Sequence, residues 1–289
     1  MKQYAILGNC QIISIGTYLN SSESFTSMYK QVYIPPVHTV DKNKDAHLLD
    51  IFKSIDLLIY QPVVDEERFG LFTSENIKNL IKKEAKAICV PSMYYGGYFP
   101  TIESVEGIEG TLRGVHDFVI ISAFLKKYSV KKTVELLTKD FILDKCAINK
   151  LHMESINALK NREQKFNVDI RISSFIEENF SKLKLFHTFN HPSVPMIQFV
   201  CEKILSILSL NYDCTEDIDY LDFIQAPIYP AINNALGLNF QQHTVRDHRV
   251  IDIEELVKSD FLIYSNSDKN LLQNKLKIKK KFLFNYFEL

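Results

Sequence analysis

The sequence predicts an α/β fold: an N-terminal, mostly parallel sheet with flanking helices, packed against a largely helical C-terminal half. Short apolar runs, "YAILG" at 4–8, "DLLIYQPV" at 56–63 and "AKAICVPS" at 85–92, read as strands buried on both faces. Helical patterns lie between them, "HLLDIFKSI" before the second run and "SENIKNLIKKE" before the third. Strand–helix alternation of this kind marks a parallel sheet. From about residue 115 the texture changes to helical spacing with charged outer faces.

Taken in order, "FTSMYKQVYIPP" at 25–36 supplies one more strand, closed by Pro35 and Pro36. Ser74 is placed to cap the helix that follows it. "HDFVIISAFLKKYSVKKTVELLTKDF" and "LHMESINALKNREQKF" are helical, and "KLKLFHT" is a strand leading into the apolar helix "PSVPMIQFVCEKILSILSL". Pro192 suits that helix's first turn, where its missing N–H would be unpaired in any case. "IEELVKSDFLIYSN" reads as helix then strand. No repeat, low-complexity tract or Gly/Ser-rich linker interrupts the chain. One compact domain over 1–289 is expected, with an α/β half at 1–110 and a mostly helical half at 111–289 closing a cleft.

The composition is that of a globular protein, 46% hydrophobic and 24% charged, and the net charge of -1 argues against a nucleic-acid binder. Five cysteines, Cys10, Cys89, Cys146, Cys201 and Cys214, include no CxxC pair and fit no zinc template, so no metal is expected. Reduced thiols suit a reducing compartment. The N-terminal apolar run is shorter than the roughly 7–15 residues of a signal peptide core. "FVIISAFL" at 118–125 falls far short of the ~20 residues that cross a bilayer. A cytoplasmic location follows as the expectation. The C-terminal "KLKIKKKFLFNYFEL" combines five lysines with four aromatics. It reads either as an edge strand protected by lysines or as a docking surface for anionic lipid at the inner membrane face or for a glycan-assembly partner.

The first chemical constellation is "GNCQ" at 8–11, where a strand gives way to a helix. α/β sheets expose their working groups at the carboxyl ends of strands. A thiol at a helix start has its thiolate favoured by unpaired N–H groups, so the pKa of Cys10 is expected to fall. Asn9 and Gln11 add amides that could hold a developing oxyanion beside the helix N–H groups. The alternative is that Cys10 is simply a small residue filling a tight crossing.

The second is "LFHTFNHPSVP" at 185–195. His187 and His191 stand four apart, but strand character and Pro192 remove the shared helical face a metal pair would need. His191, beside Asn190 at a strand–helix boundary, is instead a candidate general base, or else a capping residue. The third is the loop "PSMYYGGYFPTI" at 91–102, whose tyrosines, Tyr98 among them, offer flat faces with hydroxyl handles suited to a sugar ring or an adenine. Such aromatics can equally be loop anchors. In "RGVHD", Asp117 suits a helix start and His116 is a second acid–base candidate.

In this order, the GNCQ turn, the "GGYFP" loop, "VHD" opening a helix and "LFHTFNHP" resemble the WcbI-like family of polysaccharide-biosynthesis acetyltransferases. Val115 stands where an aromatic is expected in that family. The resemblance implies a coenzyme A-binding protein that O-acetylates a capsular or cell-surface sugar. It carries over Gly8, Asn9, Cys10 and Gln11, then Asn190, His191 and Pro192, and more loosely Tyr98, Pro100, His116 and Asp117. On this reading Cys10 accepts the acetyl group, His191 or else His116 deprotonates the acceptor hydroxyl, and Asn9, Gln11 and Asn190 position the reacting groups. Gly8 and Tyr98 line the coenzyme A site, and Arg113, Arg162 and Lys165 are candidates for its phosphates. The reading supposes that Cys10 and His191 share one cleft. Two other classes remain: a thiol-based esterase or deacetylase on an acylated glycan, and a non-catalytic scaffold in a glycan-assembly complex.

Overall fold

The structure, a computed structural model, describes residues 1–289. Two compact units are each assembled from separate stretches of chain. The first comprises 1–94, 158–178 and 192–221, and the second 95–157, 179–191 and 222–289.

The first unit is built on a parallel four-stranded sheet. Its strands are β1 (Lys2–Leu7), β2 (Tyr29–Gln31), β3 (Leu57–Tyr60) and β4 (Lys86–Cys89), in the order β2-β1-β3-β4. The three apolar runs are its three longest strands. Leu7 pairs with Tyr60 and Tyr60 with Cys89, so β1, β3 and β4 end at one level. Both faces are covered. Ala5, Leu7, Leu58, Tyr60 and Cys89 pack on one side with Phe52, Phe72 and Ile77. Alternate residues point the other way, where the Tyr4 hydroxyl donates to Asn20 at the end of helix α1 (Gln11–Asn20). Helix α1 packs in turn on Val194–Ile207.

Several local expectations are corrected here. The strand expected over 25–36 is only Tyr29–Gln31, because Ser22 caps a helical turn at Glu23–Thr26 that takes up the start of that run. Ser74 does not cap its helix, since Thr73 holds the cap position. The Ser74 hydroxyl instead accepts from Val63 N–H and donates to Gln61 O, which ties the helix to the segment after β3. The proline in the first turn of Val194–Ile207 is Pro195 and not Pro192, which lies before the Ser193 cap.

The second unit holds an antiparallel pair, Ile102–Ser104 with Val115–Asp117. It also holds a small antiparallel sheet of Ile224–Gln225, Thr244–Arg246 and Arg249–Ile251. Around these lie helices Phe118–Leu125, Val130–Thr138, Ile253–Ser265, Lys269–Lys279 and Lys281–Tyr286. The helix-then-strand reading of "IEELVKSDFLIYSN" is therefore wrong. Leu256, Val257, Asp260 and Tyr264 are its buried positions, a spacing that one continuous helical face satisfies and a strand does not. The C-terminal segment is likewise helical and not an edge strand. Leu272, Leu276, Leu283 and Phe287 face inward, and Lys279 and Lys280 pair with Glu103. No helix is long and apolar enough to cross a membrane.

Candidate functional site

The carboxyl edge of the parallel sheet positions the first unit's candidate residues. β1 is flanked by β2 on one side and β3 on the other, so successive connections leave it in opposite directions. A crevice opens at such a switch point in doubly wound sheets. A cleft of about 250 Å³ lies there, lined by Gly8 and Asn9 after β1, Gln61 and Pro62 after β3, and Ser92 after β4. A second cleft of about 500 Å³ shares Pro62, Val63 and Val64 with it and extends past Tyr60, Lys78 and Phe166.

Two buried glutamines bolt the three loops together. The Gln61 Oε1 accepts from Asn9 N–H at 3.0 Å, while its Nε2 donates to Gln11 Oε1 at 2.7 Å. Gln11 Oε1 also accepts from Met93 N–H at 3.0 Å, and Gln11 Nε2 donates to Met93 O at 2.7 Å. Gly8 is required by this close packing, because a Cβ there would lie 2.5 Å from Gln61 Oε1 and 2.6 Å from Ile12 Cγ2. Gln61 is the residue that sequence reasoning missed. The available signal was one uncharged polar side chain directly after an apolar strand run.

These contacts correct the role expected of the turn's amides. The Gln11 side chain is committed to Met93 and Gln61, so it does not offer a donor to an oxyanion. The first-turn amides are also engaged: Gln11 N–H with Asn9 Oδ1, Ile12 N–H with Asn9 O, and Ile13 N–H with Cys10 O. Of the turn's own donors, the Asn9 Nδ2 group and the N–H of Cys10 make none of these bonds.

Cys10 itself is half-buried and occupies the N-cap position in helical conformation. Burial pushes its thiol pKa above the ordinary value, and the N–H groups of Cys10 and Gln11 directed at the sulfur only partly offset this. The expected depression is therefore overturned: desolvation of the thiolate outweighs the helix start. Alkylation by iodoacetamide, followed at Cys10 by peptide mass, should accelerate about tenfold per pH unit from pH 7 to 9 without levelling off, because only the thiolate reacts. A plateau near neutrality would contradict this.

The basic candidates separate by environment. In the first unit, Arg162 is half-buried, donates from Nη2 to Tyr94 O at 3.0 Å and lies 5.6 Å from the Tyr94 ring centroid. It makes no ion pair, and burial lowers its pKa without threatening its charge. Tyr94 adjoins Met93, which Gln11 holds, so Arg162 is tied to the same loop as the GNCQ turn. Lys165 is exposed over the Phe166 ring. Arg113, in the second unit, is exposed and paired with Asp247 at 2.7 Å.

In the second unit, Tyr98 is fully buried, and its hydroxyl donates to Phe180 O and Leu183 O. It anchors the tyrosine-rich loop and presents no face to a ligand, contrary to the cofactor-binding role expected of it. His116 is buried, with Nε2 on Ile108 O at 3.0 Å and Nδ1 on the Tyr264 hydroxyl at 2.8 Å. The carbonyl fixes Nε2 as the protonated nitrogen, so Nδ1 accepts from Tyr264. Burial lowers the pKa of His116, and both of its nitrogens are committed, which removes it as a base. Asp117 caps Phe118–Leu125 by accepting from Val119 N–H, as its position leads one to expect, and also accepts from Tyr229 and Thr101 hydroxyls. His191 is half-buried with its ring 5.4 Å from that of Phe223, and Asn190 Oδ1 accepts from the Thr188 hydroxyl. No group of three or more His, Cys, Asp or Glu side chains is placed to hold a metal ion.

The structure thus brings Gly8, Asn9, Cys10 and Gln11 together, with Arg162 joined to them through Met93 and Tyr94. Tyr98, Arg113, His116, Asn190 and His191 belong to the second unit.

A family model described as polysaccharide biosynthesis enzyme WcbI matches residues 3–213. Among solved structures, the chain is similar to one described as WcbI, a novel polysaccharide biosynthesis enzyme, in its native form without a disulfide bond between coenzyme A and one of its cysteines. The TM-score is 0.87 at 21% identity, covering 99% of this chain and 98% of that one. At that identity the likeness speaks to the fold alone. No curated protein matches the chain. The family model spans well over half of the sequence, so this chain belongs to the WcbI family of polysaccharide biosynthesis enzymes.

Proposed function

We propose that this protein transfers an acyl group, acetyl in the simplest case, from a coenzyme A thioester to a hydroxyl of a polysaccharide or its precursor. The observation that carries this reading is a half-buried thiol at the switch-point turn of a parallel sheet, next in the chain to Gly8 and Asn9, which line a cleft. The similar WcbI structure, described in terms of coenzyme A and a cysteine, supports it.

The donor set of the first unit fits such a substrate. Pro62, Val63 and Val64 give the cleft apolar wall, and Asn9 and Ser92 give it polar atoms for an amide-bearing arm. Arg162, cationic and without an ion-pair partner, would hold a phosphate. The thioester supplies an activated acyl carbon. Cys10 Sγ, as thiolate, forms the new S–C bond while the bond to the departing thiolate breaks; that thiolate keeps the electron pair and takes up the proton Cys10 released. In the second half, the acceptor hydroxyl gives its proton to a general base. The oxygen–carbon bond forms, the bond to Cys10 Sγ breaks, and the proton returns to the thiolate. Asn9 Nδ2 and the Cys10 N–H donate to the oxyanion in both halves.

Binding is tested separately from chemistry. Coenzyme A titrated calorimetrically into the wild-type chain should bind, and Arg162→Glu should weaken it by about 10–100-fold, the loss of one charge-assisted hydrogen bond with added repulsion. The difference should shrink as salt is raised. Equal affinity of the two chains would remove Arg162 from the site, and absence of wild-type binding would remove the reading.

A further inference from the structure

The second unit carries a cleft that none of the groups discussed so far uses. It has a volume of about 370 Å³ and is lined by Asn233, Asn234, Gln241 and Gln242 with Ile228 and Pro230. Its wall therefore contains four carboxamides, two apolar residues and no charged side chain. We infer that this cleft binds one neutral sugar residue of the glycan acceptor, through carboxamide hydrogen bonds to its hydroxyls.

The chemistry of the wall selects the ligand class. A carboxamide offers two donors and an acceptor on one rigid plane, which answers a hydroxyl that both donates and accepts. Phosphate, uronate or ammonium groups would be desolvated there without a counter-ion. Ile228 and Pro230 supply apolar surface for the C–H face of a pyranose. The volume is near the lower end of the ~300–1,000 Å³ typical of small-ligand sites, which suits one or two rings.

The wall is also braced in advance. Asn233 Nδ2 donates to Phe240 O at 3.0 Å, and Gln242 Nε2 donates to His187 O at 2.9 Å and to Ala226 O. Because all three partners are carbonyl oxygens, the nitrogen end of each amide is identified and its orientation fixed. Gln242 Oε1 is left shielded from solvent with no hydrogen bond, an arrangement that stability alone does not favour. Asn234 and Gln241 are exposed and their side chains make no hydrogen bond within the chain, so those amides are available to a ligand. Two held amides and two free ones are a combination of preorganised wall and adaptable contact.

This assignment rests on the acyl-transfer reading for calling the sugar an acceptor, and the test separates the two. The full chain is examined by saturation-transfer NMR with methyl glycosides of glucose, galactose and mannose, and with methyl glucuronide. At least one neutral glycoside should bind in preference to the glucuronide. The double variant Asn234→Ala, Gln241→Ala should lose about tenfold or more in affinity, the equivalent of two hydrogen bonds. Both residues are exposed, so its melting temperature and its coenzyme A affinity should stay at wild-type values. No binding of any neutral glycoside, equal binding by the double variant, or preference for the glucuronide overturns the cleft assignment while leaving coenzyme A binding untouched. Glycoside binding lost in the variant, in a chain that does not bind coenzyme A, upholds the cleft and overturns the acyl-transfer reading alone.

Discussion

Acetyl-CoA adds one acetyl group to the intact wild-type chain and none to Cys10→Ser. This is the largest functional effect expected, because Ser keeps the size and position of the side chain but removes the nucleophile. A serine hydroxyl at the same turn would need an adjacent base, and the side chains that flank position 10 in the chain, Asn9 and Gln11, are amides. The four other cysteines set the controls. Cys89 and Cys201 are buried, Cys214 is half-buried, and Cys146 is exposed and so open to adventitious acylation. Intact mass should therefore be measured on a Cys146→Ala background, with and without Cys10→Ser. The raised thiol pKa adds a second signature: the acetylation rate rises through pH 7 to 9, in step with alkylation. An increment that survives Cys10→Ser would place the acyl group elsewhere. Transfer to a glycan at wild-type rate by Cys10→Ser would mean direct attack by the hydroxyl on the thioester. Acetyl release from an acylated glycan without coenzyme A affinity would instead identify a hydrolase.

The parallel sheet was legible because its strands are buried on both faces. "YAIL" and "LLIY" are apolar at every position, a pattern that no half-solvated strand needs to keep. The GNCQ turn was legible for the same reason, since it interrupts such a run at a strand's end. What the turn's residues do was not. Gln11 looks like a donor for chemistry until Gln61, fifty positions later, and Met93, eighty-two positions later, are seen to occupy it. Long-range satisfaction of buried polar groups leaves no local pattern to read. The thiol's raised pKa was missed for a related reason, because a helix start is visible in sequence and desolvation is not. At the C-terminus, lysines among aromatics suggested a strand, yet Leu272, Leu276, Leu283 and Phe287 follow a helical spacing that the charge run obscured. His116 illustrates a different limit: a histidine at a helix start looks like a base, and only Tyr264 and Ile108 reveal a neutral ring held by its neighbours.

The second large effect concerns stability. Asp117 and Asp260 are buried in the second unit, and burial pushes the pKa of each up to about 6 from 3.8, against the hydrogen bonds that favour their charged forms. In the unfolded chain both titrate near the ordinary value, so between about pH 4 and 6 the folded state binds more protons than the unfolded one. Stability then falls as pH rises through that window and is flat above it. The difference of about 2 pH units corresponds to on the order of 3 kcal/mol for each carboxyl by neutral pH. Asp260→Asn should remove its share. The amide oxygen can still accept from Thr111 N–H, and its nitrogen can donate to the Tyr264 oxygen while the Tyr264 hydroxyl continues to serve His116. Urea unfolding of both chains at pH 4.5 and pH 8 reads the effect, to which Asp117 adds in the same direction because the Asp260 charge also raises its pKa. The variant should gain on wild type between the two pH values by about 2 kcal/mol, since about 1 kcal/mol of the effect is already present at pH 4.5. An unchanged difference would mean that Asp260 keeps an ordinary pKa in the folded chain, hydrated or paired, and that burial does not govern it. A gain that continues to grow above pH 6 would place the folded pKa higher still. Either way the sign of the slope discriminates, because a carboxylate stabilised by its partners would make the wild type lose ground on acidification instead.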